Sequence, residues 1–290
     1  MPSDLIHRTA TEPGRVMGID WEMVPGFNTV LGFETISGPD PLMNPAYVTL
    51  ANMLRIPRVW EWRMMVWRTE FARQHRALDF LNVRYFLAKS GEPDVPGTKT
   101  LGRFDLTVAE SETAWPRAFF TDAIASYANG EELRRLVEEG DGRPFAAMPS
   151  GERTRPNLPP VADAARAVVP ARNYRLTNNT TTFEIDAPTP GLAVLLETNA
   201  PGDIEAFVDG RRAECLTVNH AFRGVRIESA GHHTVRFAYW PAVLTPALWL
   251  GTVGVVCLLV SAGLLARRRP AAAGTIPAHA EVREPITTNP

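Results

Sequence analysis

The sequence predicts an α+β extracytoplasmic region that closes with an antiparallel β-sandwich and is followed by a single transmembrane α-helix. Three observations carry that prediction. Leu248–Ala266 reads LWLGTVGVVCLLVSAGLLA, nineteen residues without a charge. As a helix rising about 1.5 Å per residue, this run spans roughly 28 Å, close to the hydrocarbon thickness of a bilayer. Residues 164–240 are short runs of alternating apolar and polar residues separated by turn signals, and residues 1–140 mix strand-like runs with helical periodicity.

Taken in order, residues 1–58 are rich in Gly, Pro and Asn and read as loops with short extended pieces. Asn44-Pro45 fits the start of a short helix, with Asn as cap and Pro in the first turn. From Val59 to Leu81 the residues Trp60, Met64, Trp67, Phe71, Leu78 and Leu81 recur three, four or seven apart, which predicts an amphipathic helix. His75 lies within its apolar stripe. Such a helix either faces the core with a hydrogen-bonded histidine or lies at a membrane interface, where tryptophans among arginines also fit. Strands are predicted at Val83–Ala88, Leu106–Ala109 and Arg117–Thr121, and a helix at Gly130–Glu139 closed by Gly140. Residues 141–163 carry Pro144, Pro149, Pro156, Pro159 and Pro160 and read as a linker.

In 164–240, strands are predicted at Tyr174–Leu176, Thr181–Ile185, Leu192–Thr198, Ile204–Val208, Ala213–Val218, Phe222–Ile227 and His233–Tyr239. Asp209-Gly210 is a hairpin turn between two of them. The transmembrane segment is expected over 242–266. Tyr239, Trp240 and Trp249 stand at its upstream edge, where amphipathic rings favour the headgroup level. Arg267, Arg268 and Arg269 follow it and favour the cytoplasmic side, which places the bulk of the chain outside and the tail 267–290 inside. Met1–Ala10 lacks the basic and apolar regions of a signal peptide. Export of a large preceding region is then expected to depend on a multi-spanning partner, or on an earlier part of a longer protein.

Composition narrows the function. The formal net charge is −2 and no basic stripe is present, so nucleic acid is not an expected partner. The two cysteines, Cys215 and Cys257, are placed so that they cannot pair, the second lying within the apolar span. No GxSxG, HExxH, phosphate-binding glycine loop or dinucleotide fingerprint occurs, and no catalytic residue, metal site or cofactor is expected. Asp20 and Glu22, flanking Trp21, read as solvated carboxylates in a loop. His232 and His233, adjacent on a strand, point to opposite faces and cannot readily share an ion.

The stretches ALDFLNVRYFLA (77–88), AWPRAFF (114–120), PGDIEAFVDG (201–210) and VNHAFRGVRIESAGHHTVRFAYWP (218–241), with a final span and the upstream loop GFNTVLGFETISGPDPL (26–42), together resemble the C-terminal part of the YfhO-like bacterial membrane proteins. That family is related to glycosyltransferases that use polyprenyl-phosphate sugars. In the family an aromatic pair usually stands ahead of Pro-Gly, where this chain has Asn199-Ala200. The family's many N-terminal membrane helices, and the acidic loop residue its relatives use for sugar transfer, have no counterpart here. The resemblance therefore implies an extracytoplasmic accessory module at the plasma membrane of a bacterium. It would position an acceptor for a system that uses a polyprenyl-phosphate sugar or an envelope glycan, with membrane lipid and a multi-spanning protein as partners. The alternative is a membrane-anchored binding or scaffold module without a part in catalysis. Trp21, Trp115 and Tyr127 are the aromatics expected to offer stacking faces to a glycan, against the commoner fate of aromatics as buried core.

Overall fold

The computed structural model describes residues 2–9, 13–23, 26–38, 43–56, 58–59, 61, 64–151 and 166–267. Met1–Pro241 forms one compact unit and Ala242–Pro290 a second.

The first unit opens with α1 (Pro2–Thr9), whose Ile6 is buried against Val16, Phe33 and Tyr85. A strand β1 (Arg15–Gly18) and a one-turn helix α2 (Phe27–Leu31) follow, α2 being bracketed by Gly26 and Gly32 at φ 101° and 69°. α3 (Pro45–Met53) starts as its sequence suggests: the Asn44 side chain accepts from the Ala46 N–H at 2.9 Å, and Pro45 fills the first turn.

The helix predicted from Val59 begins only at Arg68: α4 spans Arg68–Phe80. Two facts explain the late start. Met64 and Val66 are buried while Trp67 is exposed, an alternation of two that a spacing of three to four conceals when read from the apolar residues alone. Val66 also forms a parallel bridge with Ile19, and Asp20 Oδ1 accepts the Arg68 N–H at 3.1 Å, supplying the cap from another segment. α4 then buries Phe71, Ala77, Leu78 and Phe80 in the core, as the core-facing reading requires.

β2 (Val83–Lys89), β3 (Lys99–Arg103) and β4 (Leu106–Glu110) complete a sheet of order β1-β2-β4-β3, parallel only between β1 and β2. Next come β5 (Ala118–Thr121), β6 (Ile124–Tyr127), α5 (Gly130–Glu138) and β7 (Ala146–Pro149). Asn129 and Glu132 cap α5 reciprocally: Asn129 Oδ1 accepts from the Glu132 N–H, and Glu132 Oε2 from the Ala128 N–H. β7 falls inside the segment expected to be a linker. Its Ala146, Ala147 and Met148 are buried and it pairs in parallel with β6, so residues 146–149 are core. Of the prolines that suggested a linker, Pro144 precedes this strand and Pro149 is its last residue, positions where a missing N–H costs little. Residues 152–165 of the expected linker lie outside the described residues.

The remaining strands are β8 (Val168–Pro170), β9 (Arg172–Leu176), β10 (Thr180–Ala187), β11 (Gly191–Thr198), β12 (Ile204–Val208), β13 (Arg211–Ala213), β14 (Leu216–Val218), β15 (Phe222–Ile227) and β16 (Gly231–Tyr239). They build two five-stranded sheets, β13-β12-β16-β10-β9 and β14-β15-β11-β5-β8, in which every pairing is antiparallel. Phe183, Ile185, Val235 and Phe237 of the first sheet share one buried cluster with Phe120, Leu195, Val225 and Ile227 of the second. The single strand expected over Ala213–Val218 is two, β13 and β14, one in each sheet. The boundaries expected at 140 and 164 do not separate the sheets either, because β5, from the upstream region, is hydrogen-bonded between β11 and β8.

The second unit contributes α6 (Leu244–Arg267), long and apolar enough to cross a membrane, with none of its 18-residue window buried. Trp249 lies in its first two turns and Arg267 is its last residue; Arg268, Arg269 and the rest of the expected tail lie outside the described residues.

Candidate functional site

A concavity of about 600 Å³ opens in the first unit where α4, the segment after β4 and the segment after α5 meet. α4 brings His75 and Asp79, one turn apart. Asp79 is nearly buried, and both its oxygens are occupied: Oδ1 accepts from Ser111 Oγ at 2.7 Å and Oδ2 from Thr113 Oγ1 at 2.6 Å. Its backbone carbonyl takes the Trp115 N–H at 3.0 Å. Asp79 thus fastens the whole 111–115 segment to α4. Burial pushes the Asp79 carboxyl above the usual carboxylate range, against the opposing pull of the two hydroxyls and of His75 and Arg76.

His75 Nε2 lies 3.1 Å from Ser111 Oγ and 3.5 Å from Asp79 Oδ1. Gly97, at φ 72°, comes so close to the imidazole that an added Cβ would sit 3.0 Å from its Cε1. Ser, His and Asp therefore stand together, but not as a nucleophilic triad. Ser111 is fully buried and donates to Asp79, and the histidine does not stand between them.

Trp115 forms the inner wall. Its Nε1 donates to Gly142 O at 2.9 Å, and its ring meets Phe80, Phe119 and Phe145 edge-on at centroid distances of 4.8, 5.9 and 5.0 Å. The opposite lip, 140–144, is tied down by guanidinium groups: Arg76 Nη1 donates to Gly140 O at 2.5 Å, and Arg166 reaches the Arg143 and Pro144 carbonyls. Pro116, Pro144 and Pro170 give the wall stiff apolar surface, while Glu112, Asp141 and Arg143 stand at the rim with exposed side chains. The cavity offers an apolar back, fixed hydrogen-bonding groups and rim charges of both signs. Among the described residues no group of three or more His, Cys, Asp or Glu side chains is arranged to hold a metal ion.

The three aromatics singled out from the sequence are not brought together. Trp21 is exposed and meets Trp67 edge-on at 6.3 Å, outside the cavity. Trp115 lines the cavity but is only 3% exposed, and Tyr127 is buried with its hydroxyl 3.5 Å from His220 Nδ1. Neither offers a free ring face, because each supplies buried area where an α-helix meets a sheet. Tyr239 and Trp240 are exposed at the end of β16. Asp20 is spent on capping α4. His232 pairs with Asp186 at 2.9 Å and His233 with Asp209 at 2.8 Å, on opposite sides of β16. Both thiols are free. Asp79, Ser111, Thr113 and Arg143 were missed, since their only signal is proximity among segments 30 or more residues apart.

Compared with known proteins, the chain matches no family model, no curated protein and no solved structure.

Proposed function

We propose that this chain is a single-span, membrane-anchored binding module of the bacterial cell envelope, with α6 as anchor and the first unit outside the cytoplasm. Its two five-stranded sheets form an antiparallel β-sandwich, and the 111–116/140–144 cavity holds a polyhydroxylated ligand, an acceptor glycan. In that reading the module positions the acceptor for a YfhO-like membrane glycosyltransferase acting on a polyprenyl-phosphate sugar. The observation that carries it is the cavity: a concave, proline-stiffened wall with rim carboxylates and a guanidinium suits the ring faces and hydroxyl edges of a sugar better than a flat protein partner. Catalysis is left to the partner, because Ser111 is buried and both Asp79 oxygens already accept hydrogen bonds within the fold.

The test is saturable binding of fractionated envelope oligosaccharides to the full chain in lipid nanodiscs, followed by ligand-observed NMR. Glu112→Ala combined with Arg143→Ala, both exposed, should weaken binding at least tenfold without lowering the melting temperature. Absence of saturable binding, or unchanged affinity in the double variant, overturns the assignment. The alternative, a scaffold that docks a protein, would instead show a complex on co-purification that the same two substitutions leave intact.

A further inference from the structure

The one-turn helix α2 carries apolar side chains on the outside. Phe27 is 62% and Val30 83% exposed, and Leu31 is exposed as well. Met23 through Phe33 contains no charged residue. Thr29 is exposed, but the Asn28 side chain and several backbone groups of this loop are satisfied within the fold. Asn28 Oδ1 accepts from the Gly26 N–H at 3.0 Å and its Nδ2 donates to Phe33 O at 3.3 Å. The Phe33 N–H donates to Asn28 O, the Thr29 N–H to Gly26 O, and the Leu31 carbonyl meets His7 Nε2 at 3.1 Å. A loop with apolar tips and most of its polar groups already paired leaves water at low cost, because few of them have to be stripped of a partner, and the Thr29 hydroxyl is able to keep a polar partner in the interfacial layer.

Its place in the unit says what it would enter. Glu197, at the end of β11, accepts from Tyr174 of β9, Thr181 of β10 and Arg223 of β15, so these residues share one end of the two five-stranded sheets. β16 leaves from the same end, since Thr181 pairs with Phe237 and Ile204 with Tyr239. Arg117, whose carbonyl accepts the Leu196 N–H, also lies there and is ion-paired with Glu34, three residues after α2. Arg15 of β1, the strand that leads toward α2, donates to Leu196 O at 2.8 Å. Leu176, Tyr239 and Trp240 are further exposed apolar side chains at that end. The chain then passes from Trp240 to the first residue of α6, Leu244, within four residues, a reach of at most about 14 Å.

We propose that α2 is a second membrane contact: Phe27, Val30 and Leu31 insert into the interfacial layer of the same bilayer that α6 enters, with Leu176, Tyr239 and Trp240 at its edge. Tethering through a short connection keeps the loop at high local concentration near lipid, so a small apolar tip is enough to hold the unit against the surface.

The experiment uses the full chain with Cys215→Ser and Cys257→Ser, carrying an environment-sensitive fluorophore at Val30→Cys and, separately, at Thr29→Cys. A probe at Glu228→Cys, in the exposed turn between β15 and β16 at the other end of the sheets, is the reference. Each protein is placed in nanodiscs of phosphatidylcholine and phosphatidylglycerol, with and without nitroxide-bearing lipid, after its melting temperature is checked. The expected result is a blue-shifted emission at positions 29 and 30, quenched several-fold by a shallow nitroxide, with position 228 unaffected. Emission at 29 and 30 equal to that at 228 and insensitive to the nitroxide overturns the proposal. So does shielding that occurs in native membranes but not in pure lipid, which would assign the loop to a protein partner.

Discussion

Asn219 gives the sharpest test of how the sheets are joined to the rest of the first unit. It is fully buried between β14 and β15 at φ 52°, and three hydrogen bonds leave it for one segment: Oδ1 accepts from the Ala147 N–H at 2.7 Å, Nδ2 donates to Phe145 O at 3.1 Å, and its own N–H donates to Ala147 O at 2.7 Å. Asn219→Ala removes the two side-chain bonds and leaves a buried donor and a buried acceptor unpaired, at about 1–3 kcal/mol each. Alanine also tolerates the left-handed conformation less well than asparagine, roughly 1 kcal/mol more. The expected loss is about 3–7 kcal/mol. At roughly 2–4 °C per kcal/mol for a unit of this size, the melting temperature should fall by on the order of 10 °C. Asn219→Gly removes the backbone penalty and should recover only part of that loss. The assay is thermal melting of the full chain in nanodiscs, followed by intrinsic tryptophan fluorescence. An alanine variant within about 1 °C of the parent, or a glycine variant equal to it, would refute the argument that side-chain hydrogen bonding at 219 holds β7 to the β14–β15 hairpin.

Four further outcomes follow from named contacts. Burial depresses the His220 imidazole below its ordinary value, so the folded chain resists its protonation and loses stability as pH falls through the unfolded-state value near about 6.5; His220→Asn, which tolerates φ 72°, should flatten the melting temperature between pH 7.5 and 5. Burial pushes the Cys215 thiol up to about 11, and alkylation by iodoacetamide at pH 8 should run about a hundredfold slower than for a free model thiol, measured by peptide mapping. Gly191→Ala would put a Cβ 2.7 Å from Thr121 O and 2.6 Å from the Phe120 ring, and should cost about 1–3 kcal/mol in denaturant titration. Val256→Arg with Leu259→Arg in α6 adds about 5–7 kcal/mol to insertion and should move the chain from the carbonate-resistant pellet to the supernatant.

The parts legible in the sequence are those whose neighbours in space are also neighbours in the chain. The strands from β9 to β16 follow their expected bounds within a residue or two at most ends, because strands such as β10 and β16 bury one face and most pair with strands of the same stretch. α5 is equally plain, since its polar and apolar residues run from Gly130 to the closing Gly140 without a long-range partner being needed to define it. Val59–Trp67 misled because Met64 and Val66 are set by a bridge to Ile19 that no local spacing announces. β7 hid among prolines for the same reason: its partner, β6, lies on the far side of α5. The cavity was the least legible. His75 could be read as a hydrogen-bonded histidine on an apolar stripe, but the residue types around it carry no motif, and only folding brings Ser111, Thr113 and Gly142 to that helix.

The placement of β5 bears on how this chain is made and how it survives damage. Ala118–Thr121 is synthesised long before Gly191–Thr198, yet Leu195, Val194, Ala193 and Leu192 pair with it residue for residue. The early segment must wait, edges unsatisfied, until its later neighbour leaves the ribosome, a delay in which a foreign strand could take the vacancy. Once closed, the arrangement works as a clasp. A single break anywhere between Thr121 and Val168 would leave two polypeptides gripping one another through a shared sheet, so a nicked molecule should travel intact on a native gel and separate only in detergent and heat.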